Sequence, residues 1–455
     1  MESRDFEAQA ANVAMGGALR LEGVQRPDAG EPAAFVLERF SVFTDDARII
    51  VHGPAGETIL PAPANTYFRG FVDGEPDSRV FLAARPGRGS RGLVASQGEV
   101  WMIGGEGTDG ELKSLTDGEL TMRRVDPSQL KAAQRGFTCG NEQLPQIEQA
   151  VPPLPNLAGD EGTVPQASDV PAALPLFGAR VAIETDYEFY QIFGNTAEAT
   201  DYAADLIGFI STFYVAEIDT ALTVQSVSLW TTNGDPWTQT SSFCGLMQFG
   251  QYWNANRTNV SRTIAHFLSG KGTGGGVAWV GVLCRGGFSY SATCPGMPSS
   301  GAYGGGYGFT GNISGGFDVN NPGVLWDTYA TAHEIGHNFD SPHTHCYNNP
   351  VDQCYSGECA NGCHCGTQSL PGPIGTRSGT IMSYCHLNGG YQSIAMSFGT
   401  NHPYGLDPGR VATRMRNHVV GTAASNPTCL APPLNLQTLL TDGFETGTTG
   451  AWNSQ

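Results

Sequence analysis

His333-Glu334-Ile335-Gly336-His337-Asn338-Phe339-Asp340-Ser341-Pro342-His343-Thr344-His345 decides how the rest of the chain is read. Histidines at i and i+4 lie one turn apart on one helix face and can share a metal ion. Helix signals surround them. Asn321-Pro322 supplies an N-cap and first-turn pair, and 324–339 holds neither proline nor a glycine run. Ser341-Pro342 stops the helix, so the chain turns before offering His343 as a third imidazole. Three neutral nitrogens with one position open form the ligand set of a catalytic zinc ion, whereas four protein ligands would form a structural one. Glu334, beside the first histidine, is placed to act as general base toward a water at that open position.

The spacing resembles the metzincin clan of zinc endopeptidases, whose pattern is H-E-x-x-H-x-x-G-x-x-H. Glu334-Ile335-Gly336-His337-Asn338 is most similar to the adamalysin (reprolysin) branch, and Gly379-Thr380-Ile381-Met382-Ser383-Tyr384 resembles the Met-turn that floors the zinc site in that clan. The resemblance implies His333, His337 and His343 as zinc ligands, Glu334 as the catalytic base and hydrolysis of internal peptide bonds of proteins. Calcium (Ca2+) is considered as a second ion beside Zn2+. Met382 would be a packing floor, since thioether sulfur prefers softer metals. His345 is read as a bystander and His386 as a residue of the cleft wall. The Ile-Met-Ser-Tyr order also resembles the Met-turn of astacins and serralysins, which would make Tyr384 a hydrogen-bond donor to the oxyanion. A tyrosine that only packs the turn is the alternative. Two residues depart from the pattern. Asp340 replaces the glycine of a bend with φ > 0, at a cost of about 1 kcal/mol. Thr344 stands where the adamalysin branch usually has aspartate.

At 455 residues the chain has room for two or three domains. Only 24 Lys and Arg set against a net charge of −19, with no basic run, argue against a nucleic-acid partner. No apolar run reaches the ~18 residues of a membrane-spanning helix. Ten of the 11 cysteines lie between Cys244 and Cys429, which reads as five disulfides in a secreted protein. Residues 1–19 lack the apolar core of a signal peptide. Cys346, Cys354, Cys359, Cys363, Cys365 and Cys385 crowd one region, and with His364 they admit a second, structural zinc site as the alternative to disulfide staples.

The fold expected is a multidomain α+β and α/β chain: an all-β N-terminal prodomain, then a metzincin-type catalytic domain. The latter, by resemblance, has a twisted, mostly parallel sheet with an antiparallel edge strand, packed helices and an active-site helix. Residues 1–144 form the β-rich propeptide domain, with period-two alternation and a hairpin at Gln97-Gly98. The stretch 67–103 is similar to adamalysin-family propeptides; an unrelated accessory β-domain is the alternative. Residues 145–177 form a Pro-rich linker open to processing. Residues 178–431 form the catalytic domain, and 432–455 a tail like the start of a further module. Within 178–431, Asn195 and Glu198 cap a helix to about residue 218 that buries Leu206, Phe209, Ile210 and Phe213 on one face. Strands are expected at 222–230 and 263–268, a short helical piece at 249–254, a long loop at 284–317 and an amphipathic helix at 406–419. The apolar run 276–283 is by resemblance the edge strand that pairs with substrate through Val277, Ala278 and Trp279, with an ordinary core strand as the alternative.

Cys139, the odd cysteine, lies in Phe137-Thr138-Cys139-Gly140, which resembles the cysteine switch of adamalysin and matrixin propeptides. A thiolate in the open position, at about 2.3 Å from zinc, would silence the site until the linker is cut. An unpaired or intermolecular cysteine is the alternative. The expected partners are protein or peptide substrates and the chain's own propeptide as inhibitor, with the chain a monomer. The rival from another class is a zinc-holding adhesion module without turnover, which would have no use for Glu334.

Overall fold

A computed structural model describes residues 2–106, 112–113, 118–130, 137–144 and 177–430. All of the linker 145–177 except Phe177, and the tail 432–455 with residue 431 before it, lie outside the described residues. After a first helix, Ser3–Asn12, ten strands follow: β1 (Ala18–Val24), β2 (Ala33–Phe40), β3 (Phe43–Gly53), β4 (Gly56–Pro61), β5 (Thr66–Val72), β6 (Glu75–Arg85), β7 (Gly89–Ser96), β8 (Glu99–Glu106), β9 (Leu112–Lys113) and β10 (Glu119–Arg124). Most form one antiparallel sheet in the order β1-β2-β5-β6-β7-β8-β10, with β9 on β8. The β7–β8 hairpin turns at Gln97 and Gly98, both at positive φ (50° and 78°), as the twist of a two-residue hairpin loop requires. The first helix closes one face of this sheet, over Phe35, Phe68 and Leu82.

The second region carries β11 (Phe177–Thr185), β12 (Thr220–Trp230), β13 (Ile264–Leu268), β14 (Gly276–Ala278), β15 (Phe288–Ser291), β16 (Ser300–Gly304) and β17 (Tyr307–Thr310). Its sheet runs β14-β17-β13-β11-β12-β3-β4. Strands β12, β11, β13 and β17 are parallel, and β14 is antiparallel at one edge. The other edge is extended by the N-terminal region: β3 pairs parallel with β12, and β4 closes the sheet antiparallel to β3. The two regions therefore share a sheet.

The helix Thr196–Ile218 lies between the two sheets. Its start is capped as expected, with the Glu198 N–H donating to Asn195 Oδ1 at 2.8 Å. Burial is not confined to one face, however: residues 199–215 are all buried. The N-terminal sheet covers the side that would otherwise face water, and the Phe81 ring fills the space where Gly208 has no side chain. Three arginines of that sheet reach the same helix. Arg91 meets Asp205 at 2.5 Å, Arg88 meets Asp201 at 2.5 Å and Arg85 meets Glu198 at 2.9 Å, so two fully buried aspartates are paired.

Three expectations need correction. The run 276–283 forms a strand only over β14. At Gly281 (φ 65°) the chain turns, and the Gly281 and Val282 N–H groups donate to the His337 and Asn338 carbonyls at 2.9 and 3.0 Å. The stretch 284–317 is not one loop but holds β15, β16 and β17, the strand next to the β14 edge. The helical piece at 249–254 is the second half of a helix, Ser242–Asn256, whose N-cap Ser241 Oγ accepts from the Cys244 N–H. The last helix, expected at 406–419, runs Arg410–Ser425 and buries Val411, Met415 and Val419 on one face. Among the described residues, no helix is long and apolar enough to cross a membrane.

Candidate functional site

The helix Gly323–Asn338 carries His333, Glu334 and His337, all fully buried. It ends where expected, at Asp340 (φ 75°). The carboxylate in the glycine's place is tied down: Arg414 Nε donates to the Asp340 carbonyl at 2.6 Å and to Oδ2 at 3.0 Å. The bend then delivers His343.

Each of the three rings has its Nδ1 committed as a donor to an oxygen. His333 Nδ1 bonds the Ile381 carbonyl at 2.7 Å, His337 Nδ1 the Ser341 carbonyl at 2.6 Å, and His343 Nδ1 the Glu358 carboxylate at 2.9 Å. That fixes the tautomers and leaves every Nε2 with a lone pair turned inward. His333 and His337 Nε2 stand 3.2 Å apart, Cys139 Sγ is 3.5 Å from His337 Nε2, and His343 Nε2 is buried with no hydrogen-bond partner. All four ligand atoms lie within 4.8 Å of one another. Zinc bonds of about 2.0–2.1 Å to nitrogen and about 2.3 Å to sulfur, at tetrahedral angles, separate ligand atoms by about 3.3 Å (N to N) and about 3.6 Å (N to S). The donor set fits such an ion. Lone pairs at these separations repel unless a cation lies between them.

Burial, with the neighbouring imidazoles, holds His333 and His337 well below the usual histidine range, in the neutral form that binds metal. Burial also pushes the Glu334 carboxyl and the Cys139 thiol well above their ordinary values, with Glu334 adding to the thiol's shift. A bound cation inverts that logic for the thiol. Glu334 Oε2 is 3.3 Å from Cys139 Sγ, and its Oε1 has no hydrogen-bond partner. A Cβ at Gly276, the first residue of β14, would collide with this carboxylate, so the glycine makes room for it.

Met382 lies under the helix against Gly336 and stands outside the ligand cluster; its carbonyl accepts from the Thr344 N–H at 3.0 Å. The Tyr384 hydroxyl accepts from the Cys139 N–H at 2.6 Å and donates to the Cys139 carbonyl at 3.0 Å. His386 Nε2 donates to the Phe137 carbonyl at 3.0 Å. Phe137, which the sequence reading did not single out beyond its motif, inserts edge-on among Trp326, Tyr329, His333 and Tyr384, with centroids 4.8–6.5 Å apart. Asn141 was missed too: its Oδ1 accepts from the Ala278 N–H at 2.9 Å, which seats the N-terminal segment on β14. Trp279 lies past the strand; its N–H donates to the Tyr307 carbonyl at 3.1 Å and its carbonyl accepts from Asn338 Nδ2 at 2.8 Å.

His345 is not among the inward-facing nitrogens. Its Nε2 bonds Glu358 Oε2 at 2.9 Å, the oxygen that also serves His343. Burial raises the Glu358 carboxyl, but His343 and His345 outweigh it and hold it well below the usual carboxylate range. Nothing in the sequence pattern pointed to Glu358 beyond a lone acid beside Cys359. Ten cysteines pair as Cys244–Cys294, Cys284–Cys429, Cys346–Cys363, Cys354–Cys385 and Cys359–Cys365, which leaves Cys139 free and buried. The six crowded cysteines are thus disulfide staples, and the half-buried His364 bonds the Thr367 carbonyl. Among the described residues, every candidate metal-holding group includes histidine or cysteine, so the oxygen-only set that calcium takes finds no support.

Residues 179–390 match the family model Reprolysin_5, described as metallo-peptidase family M12. No curated protein matches the chain. Among solved structures, metalloproteinase-II from Bacteroides fragilis is similar at 10% identity and a TM-score of 0.35, over 75% of this chain and 86% of that one. A chaperone–substrate complex is similar at 11% identity and a TM-score of 0.31, over 54% of this chain and 36% of that one.

Proposed function

We propose that this chain, whose residues 179–390 are a reprolysin-like metallopeptidase segment of family M12, is a secreted zinc-dependent endopeptidase made in a latent form. The observation that carries the reading is the inward convergence of the His333, His337 and His343 Nε2 atoms beside the unpartnered Glu334 Oε1. The three imidazoles would hold zinc. When bound, zinc supplies Lewis-acid chemistry, making a water acidic enough to lose its proton near neutral pH and drawing charge onto the scissile carbonyl oxygen. Glu334 takes the proton from the attacking water and hands it to the leaving amine. The raised affinity of its buried carboxylate for a proton suits both steps. Strand β14 offers an open edge along which an extended substrate pairs, and Tyr384 donates to the developing oxyanion once released from Cys139.

In the latent form Cys139 would be the fourth ligand, and residues 137–141 occupy the ground that substrate needs. Phe137 fills the aromatic pocket beside His333, and Asn141 caps the N–H of Ala278. The chain's own N-terminal region, residues 1–144, is thus its inhibitor, 145–177 the processing linker and 178–431 the catalytic part, acting on proteins as a monomer. Five disulfides support an oxidising, extracellular location.

The test is casein digestion by the chain processed until its N-terminal region is gone, with and without a chelator, alongside Glu334→Gln. The reading expects chelator-sensitive cleavage and a loss of about 10²–10⁴-fold in Glu334→Gln with zinc retained. Equal digestion by the metal-stripped chain or by Glu334→Gln would refute it.

A further inference from the structure

We propose that Glu358 is a positioning residue for the third metal ligand: its buried carboxylate fixes the tautomer and aim of the His343 ring, and a disulfide-stapled loop holds it there. The inference rests on the metallopeptidase reading of the same site. His343 needs such a partner because it differs from the other two ligands. His333 and His337 stand on a helix and bond backbone carbonyls, whereas His343 is in extended backbone (φ −60°, ψ 147°) beyond the helix. Its carbonyl accepts from the Cys346 N–H at 2.9 Å, and its ring is fixed by a side chain rather than by a backbone carbonyl.

Glu358 is 4% exposed. Its Oε2 accepts from His343 Nδ1 and from His345 Nε2, both at 2.9 Å, and the two rings stack with centroids 5.2 Å apart and planes 14° apart. A carboxylate behind a ligating imidazole orients the ring and raises its basicity toward the metal, more than a neutral carbonyl does. The second donor explains His345: it shares the carboxylate's charge and packs flat on the ligand ring. Glu358 lies inside the loop closed by Cys346–Cys363, between Cys354, which is bonded to Cys385, and Cys359, which is bonded to Cys365, so the acid is pinned on both sides.

The experiment measures zinc affinity of the full chain by chelator competition, the visible spectrum of its cobalt(II)-substituted form, and the melting temperature of the metal-free chain, for the parent, Glu358→Ala, Glu358→Gln and His345→Phe. Glu358→Ala is expected to weaken zinc binding by about 10–100-fold and to shift the cobalt bands. Glu358→Gln, which keeps an acceptor without the charge, should fall between it and the parent, while His345→Phe stays close to the parent. Parent-like affinity and an unchanged cobalt spectrum in both Glu358 variants would overturn the proposal. So would a lower metal-free melting temperature with the cobalt spectrum unmoved, which would mean that the acid only holds the loop. A parent that binds no zinc would instead sink the metallopeptidase reading, and this inference with it.

Discussion

Tyr384 has two duties on this account, one in the latent chain and one in the active enzyme. Its hydroxyl is now spent on the Cys139 backbone, accepting from the N–H and donating to the carbonyl. Once the N-terminal region is gone, the same hydroxyl faces the place where negative charge develops. Tyr384→Phe in the processed chain should therefore lower kcat by about 10²-fold or more with zinc still bound, the loss seen when one oxyanion donor is removed. Unchanged kcat with zinc retained would leave Tyr384 a packing residue. At this scale much of the candidate site was legible. His333, Glu334 and His337 announce themselves by helical spacing, His343 by the bend after them, and Asp340 by tolerance of positive φ. Glu358 was not, because an acid on an irregular disulfide loop has no period to betray it. Phe137 and Asn141 were opaque as well, since their partners are some 140–250 residues away.

Elements built on glycine were the ones misread. β17 contains Gly308, where a Cβ would press on His266, and the helix Ser242–Asn256 contains Gly250, where a Cβ would strike the Tyr303 carbonyl. Both glycines are there for close packing, yet in sequence they look like punctuation. The second element hides another feature. Trp253 on that helix and Trp230 on β12 each donate an indole N–H to Glu184 of β11, at 2.9 Å. Burial raises the Glu184 carboxyl to about 7, against the partial offset of those donors. An unfolded chain loses this proton near the ordinary glutamate value of about 4.3. Between the two values the folded state binds more protons than the unfolded one, so this group's contribution to stability falls as pH rises through that window and stays low above it. The melting temperature of the parent should accordingly drop relative to that of Glu184→Gln between about pH 5 and about pH 8. A difference that does not change with pH would contradict the assignment.

At the scale of the whole molecule, the N-terminal region is woven into the region that carries the candidate site. β3 lengthens the second sheet along β12, and Arg85, Arg88 and Arg91 meet the acids of the helix Thr196–Ile218. The sequence showed the strands but not this union, because strand pairing across about 180 residues leaves no local mark. Its consequence is that one cut in 145–176 should not by itself free the enzyme. Withdrawal would expose the β12 edge and leave Asp201 and Asp205 unpaired. We expect the two fragments of singly cut chain to co-elute in gel filtration and to remain latent, with casein cleavage appearing only as the N-terminal fragment is displaced or degraded. Separation of the fragments on cutting alone would show that the shared sheet does not hold them.

The latent ligand set is the point on which the whole account turns, and zinc X-ray absorption on the intact, uncut chain reads it directly. The account predicts three nitrogen scatterers at about 2.0–2.1 Å and one sulfur at about 2.3 Å, with the sulfur lost in Cys139→Ala while the three nitrogens stay. A zinc shell without sulfur in the intact chain, or one that keeps its sulfur in Cys139→Ala, would contradict it.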